Sequence, residues 1–382
     1  MKVVVVGGGL AGANVVEELR TRGHDGEIVL LGAESHLPYE RPPLSKDVLL
    51  GKKETTDAIV HGADWYSEHD VEVHTGTEAT SVDRERKVVV TDSGEHPYDA
   101  LVLATGCEPR RFALANESGR PVHYLRTMED SAGLKAALTD GARVVIVGAG
   151  WIGLEVAAAA RRAGAQVTVH ESAELPLVAV LGPEVAERFA DLHRSHGVDL
   201  RLGTTVTAED LAEADIVVVG VGVVPRTALA EAAGLDVDNG VLVDARLRSS
   251  DPDILAVGDI ANQLHPVLSR RLRVEHWDTA IQHGKAAAAT ILGADEPYTR
   301  LPYFYTDQYD LGMEYWGSLG SDGYDRVQTT GDFNGAFRAW WVRDDVVVAA
   351  MQANDWDAAD EMRASVGQPP PEQPEPGTTS GT

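Results

Sequence analysis

The sequence predicts an α/β protein: two parallel-sheet βαβ units and then a small, mostly-β C-terminal domain. Three observations predict it. The segment VVVVGGGLAG places Gly7, Gly9 and Gly12 in a G-x-G-x-x-G register directly after four β-branched residues. The segment VVIVGAGWIG repeats the pattern with Gly148, Gly150 and Gly153. From Tyr303 onward the reading is mostly strand, with glycine-containing turns. In each motif the first glycine permits a tight turn and the second lets the backbone approach an anion. The third lets the following helix pack close to the strand. A pyrophosphate then sits at the helix N-terminus, where backbone N–H groups lack partners. Two such motifs, each opening its own unit, imply two dinucleotides on one chain and electron transfer between them.

The elements follow in order. Val3–Val6 reads as a buried parallel strand, Leu10–Arg22 as its helix and Ile28–Leu31 as the next strand. Short strands with polar turns fill 57–90, including Val71–His74 and Lys87–Val90. Ala100–Ala104 is another apolar strand. The second unit runs through a strand at Arg143–Val147, a helix at Ile152–Ala163 and a strand at Gln166–His170. Further on come a helix at Pro183–His196, a strand at Ile216–Gly220 that runs into a loop at Val221–Pro225, and a strand at Leu255–Val257. An alanine-rich helix covers His276–Leu292. This order predicts that the second dinucleotide domain is inserted into the first. Residues 1–112 and 238–305 form one discontinuous domain and 113–237 the other. Residues 306–367 form the C-terminal domain. Residues 368–382, rich in proline and without apolar content, are expected to be disordered.

Composition narrows the function. Sixty acidic residues face thirty-three basic ones, a net charge of −27, which disfavours nucleic acid and anionic membranes as partners. The single cysteine, Cys107, excludes an intramolecular disulfide and a cysteine-based metal cluster. No apolar run approaches the ~20 residues of a membrane span. A cytoplasmic protein is expected. Nothing in the sequence sets the oligomeric state.

An acid at the end of the second strand of each unit can hold an adenosine ribose. In the second unit this is Glu171, followed by Ser172, Ala173 and Glu174 with no arginine, which favours NADH over NADPH. In the first unit it is Glu34. The stiff loop Pro38-Tyr39-Glu40-Arg41-Pro42-Pro43-Leu44-Ser45-Lys46 carries two cations suited to phosphate or a buried carboxylate. His193 and His196 have H-x-x-H spacing. Without a carboxylate or cysteine partner they read as residues of a surface helix, and no metal site is expected.

PYERPPLSK, GAGWIGLEVA, ATGCEPRR, VGVVPRTALAEAAGL and DPDILAVGDIA together resemble the FAD-dependent NADH:ferredoxin reductases of oxygenase systems. These are the putidaredoxin-reductase-like and biphenyl-dioxygenase-reductase-like proteins of the glutathione-reductase-like superfamily. Apoptosis-inducing factor belongs to the same superfamily, and VEHWDTAIQHGKAA is equally close to it. The resemblance implies two Rossmann-like domains. Gly7, Gly9, Gly12, Glu34, Arg41, Lys46, Arg110, Asp259, Trp277 and Tyr305 would bind FAD. Gly148, Gly150, Gly153, Glu155, Glu171 and Gly222 would bind NADH. Lys46 and Glu155 would pair across the two sites and act in catalysis. Hydride would pass from NADH to FAD, and electrons from FAD to a one-electron acceptor, an iron–sulfur protein of the ferredoxin type or a rubredoxin. Two other readings stand beside this one: an NADH:quinone or monodehydroascorbate-type reductase, and an NADH-sensing flavoprotein like apoptosis-inducing factor.

Four departures from that family are visible. A short acidic turn between Thr207 and Asp215 replaces a β-meander. Tyr303-Phe304-Tyr305-Thr306-Asp307 replaces a tryptophan-rich segment, with Tyr305 where a tryptophan covers the flavin. The C-terminal domain is short. The surface is acidic, so Arg270, Arg271 and Arg273 are the candidate basic patch for an acidic partner.

Overall fold

The computed structural model describes residues 1–372. Its centre is Val3–Val6, four residues with almost no solvent exposure. A strand apolar on both faces belongs inside a parallel sheet covered by helices. It lies in the middle of a five-stranded parallel sheet, in the order Ile254–Ala256, Ala100–Leu103, Val3–Val6, Ile28–Leu31, Val71–His74. The strand Ile254–Ala256 thus returns, after the whole second unit, to the edge of the first sheet. Helices Leu10–Thr21 and Trp277–Ile291 pack tightly on this layer. A Cβ on Gly284 would stand 2.8 Å from the Ala11 carbonyl oxygen and from the Asn14 Cβ, so glycine sets their approach.

The second parallel sheet runs Asp199–Arg201, Gln166–His170, Arg143–Val147, Ile216–Val219, Val122–His123. Its glycine loop opens the helix Trp151–Arg162, and the helix Val178–Ser195 covers it. The latter starts earlier than the expected Pro183. Gly182, at φ 71°, kinks the chain ahead of that proline and lets the turn before it join the helix.

Two further corrections concern connections. The acidic segment after Thr207 is a short helix, Ala208–Ala212, and not a turn. The Thr207 hydroxyl accepts from the Asp210 N–H while the Asp210 carboxylate accepts from the Thr207 N–H. This reciprocal cap satisfies two donors at the helix start. The expected loop Val221–Pro225 contains a strand, Val223–Pro225, antiparallel to Cys107–Pro109. That ribbon ties the segments between the two parallel sheets.

The C-terminal unit is an antiparallel sheet in the order Tyr303–Gln308, Leu311–Gly317, Val346–Ala353, Phe337–Arg343, Arg326–Gly331. Strand Tyr303–Gln308 pairs along its whole length with Leu311–Gly317, so the boundary expected between 305 and 306 lies within a hairpin. One face of this sheet shares a core with the second unit, through Met313, Phe337, Trp341, Leu181, Val185 and Phe189. Trp341 donates its indole N–H to the Leu181 carbonyl at 2.8 Å. Order continues past 367. Gln368 accepts from the Val347 N–H and Pro371 from the Gln328 amide, so the chain clings to the sheet edge there. The rest of the tail expected to be disordered, 373–382, lies outside the described residues.

Candidate active site

One large cavity, of about 1250 Å³, lies where the two parallel sheets and the C-terminal sheet meet. Both glycine loops open onto it. Gly7 has φ 126°, and a Cβ there would meet the Ala104 carbonyl oxygen at 2.1 Å. Gly148 repeats this, with φ 100° and the Gly220 oxygen at 2.5 Å. Gly9 has nothing within 4 Å of a Cβ position, because it faces the open cavity. The helices that follow begin at Gly9 and Gly150. Neither has a side-chain cap or an acid in its first turn. Their first N–H groups therefore remain free for an anion, as dinucleotide pyrophosphates require. The residues present fit two dinucleotides.

Gly7, Gly9, Glu34, Arg41, Lys46, Asp259, Trp277, Tyr305, Gly150, Glu155 and Gly222 all line this cavity. Gly12 and Gly153 lie beneath it. A Cβ on either would strike the Gly7 or Gly148 carbonyl oxygen at 2.2 or 2.1 Å, so they set helix–strand packing, and Gly148 shapes its turn without lining the cavity. Glu171 also stands outside the cavity. Its carboxylate accepts from the Ala149 N–H at 2.8 Å and the Ala173 N–H at 2.9 Å, bracing the second glycine loop.

Arg110 is not brought to the cavity. Its side chain is exposed and does not line the cavity; only its backbone N–H is engaged, by the Gly222 carbonyl. Arg126 lines the cavity and pairs with Asp259 at 2.8 Å. Its Nε is buried without a partner, which leaves a donor beside that pair. Sequence reasoning missed Arg126 because it lies in a segment with no motif, between a two-residue strand and a helix cap.

Glu34 accepts from Arg41 Nη2 at 2.8 Å and from the Tyr39 hydroxyl. Burial pushes the Glu34 carboxyl up, but Arg41 and Tyr39 outweigh it and hold the group below the usual carboxylate range. Arg41 also reaches the Arg126 carbonyl, so it welds the proline loop to the segment that carries Arg126. Trp277 donates to Glu40 at 3.1 Å and stands edge-on to Tyr305. His276 beside them is driven down to about 3 by burial and then by Lys46, and it is neutral at physiological pH.

The ion pair expected between Lys46 and Glu155 is formed, at 2.6 Å. Glu155 is buried, and three donors meet it: Lys46 and Thr306 on Oε1, and Ser45 on Oε2 at 2.5 Å. Ser45 and Thr306 lie in segments singled out above, but neither was assigned a role there. Cys107 lines the cavity too. Burial, then Asp259, pushes its thiol up to about 12, so it is no thiolate at neutral pH.

Of the candidate basic patch, only Arg273 has an acidic partner. Arg273 pairs with Glu275 and contacts Cys107, Arg271 donates to backbone carbonyls, and Arg270 binds Ser318. Among the described residues no helix is long and apolar enough to cross a membrane.

Two parallel-sheet units with bare helix N-termini on one cavity define a two-dinucleotide oxidoreductase fold. The sequence model of the pyridine nucleotide-disulphide oxidoreductase family matches residues 1–284, and the chain belongs to that family. It is 40% identical to the anthranilate 1,2-dioxygenase system ferredoxin--NAD(+) reductase component of Burkholderia cepacia, over 97% of this chain and 96% of that protein. It is 35% identical to putidaredoxin reductase CamA of Pseudomonas putida, over 92% and 88%. The crystal structure of the covalent putidaredoxin reductase–putidaredoxin complex superimposes with a TM-score of 0.89 at 34% identity, covering 96% of this chain and 93% of that one.

Proposed function

We propose that this chain is an NADH-dependent flavoprotein reductase that passes electrons to a ferredoxin- or rubredoxin-type acceptor. The observation that carries the reading is that both uncapped helix N-termini open on one cavity, across which Lys46 and Glu155 are paired. The first glycine loop would hold FAD, with Glu34 placed for its adenosine ribose and Asp259, paired with Arg126, for its ribityl chain. The second would hold NADH, and residues 1–112 and 238–302 would form the flavin domain. When bound, these groups supply the redox chemistry, a two-electron nicotinamide donor and a flavin that can release electrons singly.

The protein's part is binding, orientation and exclusion of water. The helix N-termini hold the pyrophosphates without added charge. Glu155, fixed by three donors, presents its carboxylate to the nicotinamide carboxamide. Trp277 and Tyr305 wall the flavin end. Cys107, protonated and buried, takes no part, so no disulfide relay intervenes despite the family's name. The two relatives and the solved complex named above support the acceptor class.

Steady-state NADH oxidation with a panel of ferredoxins, rubredoxins, quinones and ferricyanide tests this. The expected result is a yellow protein, with flavin released by acid precipitation, that turns over fastest with an iron–sulfur acceptor. Quinone turnover without any ferredoxin or rubredoxin turnover would overturn it.

A further inference from the structure

Behind Glu155 runs a buried chain of side chains that touches no part of the cavity surface. The Thr306 hydroxyl donates to Glu155 Oε1 at 2.6 Å. The Gln308 amide donates to Thr306 Oγ1 at 3.2 Å. Gln308 Oε1 lies 2.8 Å from His193 Nε2. Thr306, Gln308 and His193 are each at most 1% exposed. They come from two elements, since Thr306 and Gln308 are alternate residues on one face of the strand Tyr303–Gln308, and His193 is on the helix Val178–Ser195.

The direction of every bond is fixed. An ionised carboxylate only accepts, so the single proton of Thr306 goes to Glu155. The Thr306 oxygen then accepts from the Gln308 amide nitrogen. This turns the Gln308 oxygen toward His193, which must donate from Nε2. The other ring nitrogen of His193 is buried without a partner, as fits a neutral ring protonated on Nε2. All three dipoles therefore point their positive ends at one carboxylate. A merely structural solution would use apolar residues here, because a buried polar chain gains little net stability over a well-packed apolar one.

We infer that Thr306, backed by Gln308 and His193, is a positioning residue that fixes the Glu155 carboxylate for nicotinamide recognition. It rests on the reading of Glu155 as the nicotinamide-end residue. Lys46 and Ser45 approach Glu155 from the proline loop, whereas Thr306 ties it to the C-terminal sheet. That sheet, whose Tyr305 lines the cavity, thereby also acts on the dinucleotide site from behind Glu155.

Isothermal titration calorimetry on the FAD-loaded protein, with NAD⁺ and with ADP-ribose, tests this. ADP-ribose lacks the nicotinamide and reports the rest of the site. In Thr306→Val the affinity for NAD⁺ should fall at least about fivefold, the scale of one ordinary hydrogen bond, while that for ADP-ribose stays within about twofold. Thr306→Ser, which restores the hydroxyl, should bind both like the parent. Glu155→Gln should weaken NAD⁺ alone. If Glu155→Gln weakens NAD⁺ and Thr306→Val does not, the chain is idle and the inference is wrong. Equal loss of NAD⁺ and ADP-ribose in Thr306→Val reduces the chain to a structural prop and also overturns it. An unchanged NAD⁺ affinity in Glu155→Gln refutes the placement of the nicotinamide itself. Should Thr306→Val fail to hold FAD, Gln308→Met removes the donor that orients the hydroxyl and decides between the same outcomes.

Discussion

Lys46 Nζ lies 2.6 Å from Glu155 Oε1, joining a proline-stiffened loop beside the first glycine motif to the helix that follows the second. Both side chains are largely buried. A pair in that setting is costly to break, because the partner left behind is an uncompensated charge. Its position between the two dinucleotide paths gives it a use beyond stability, setting how the bound nicotinamide and flavin face each other.

Lys46→Ala and Glu155→Ala should therefore each slow flavin reduction by about a hundredfold, the scale of a 1 Å misplacement of reacting groups. Flavin occupancy should change much less. Stopped-flow reduction of FAD-saturated variants at saturating NADH measures this. A parental rate constant in both would remove the pair from the mechanism.

Arg126→Ala should weaken FAD binding at least tenfold. It strips Asp259 of its partner, and truncating one member of a buried, hydrogen-bonded charge pair typically costs about 2–5 kcal/mol. Arg110→Ala should leave FAD affinity within about twofold, since that side chain is exposed outside the cavity. Flavin fluorescence during dilution gives both dissociation constants. The reverse ranking would restore the family-based assignment of Arg110.

The contrast between those arginines shows what a sequence can carry. Gly7, Gly148 and the strands before them were legible because a backbone conformation and a carbonyl at 2.1–2.5 Å demand glycine, and four β-branched residues demand burial. Lys46 and Glu155 were legible through the family resemblance, whose segments PYERPPLSK and GAGWIGLEVA carry them. Arg126, Ser45 and Thr306 reach the site through tertiary packing, and no local period marks them. The same limit applies to Arg270, Arg271 and Arg273, whose spacing says nothing of Glu275, which pairs with Arg273. The strand Val223–Pro225 was read as loop because its partner, Cys107–Pro109, is over a hundred residues away in sequence.

NADH should be preferred over NADPH by at least about tenfold in kcat/KM, the effect of about 1.4 kcal/mol at the ribose. Glu171 closes the second strand with no arginine in the three residues after it. Glu171→Ala should narrow the preference. It should also loosen the second glycine loop, because Glu171 accepts the Ala149 N–H, so NADH affinity should fall with it. Equal kcat/KM for the two cofactors in the parent would refute the assignment.

Stability should decline as pH falls from about 6.5 toward about 4, before most carboxylates titrate. Burial lowers His193 to about 4, against an ordinary value near 6.5. Between those values the unfolded chain takes up a proton that the folded protein refuses, so each unit of acidification favours unfolding. Above about pH 6.5 both states hold the ring neutral and the slope from this residue vanishes. The slope per histidine approaches about 1.4 kcal/mol per pH unit, a large share of a typical folding free energy. His193→Leu removes the titrating group, so its stability should be lower at pH 7.5 but fall less steeply between pH 6.5 and 5. Denaturant unfolding of FAD-saturated protein at several pH values compares the two slopes. Equal slopes in parent and variant would mean that His193 is not held neutral in the fold.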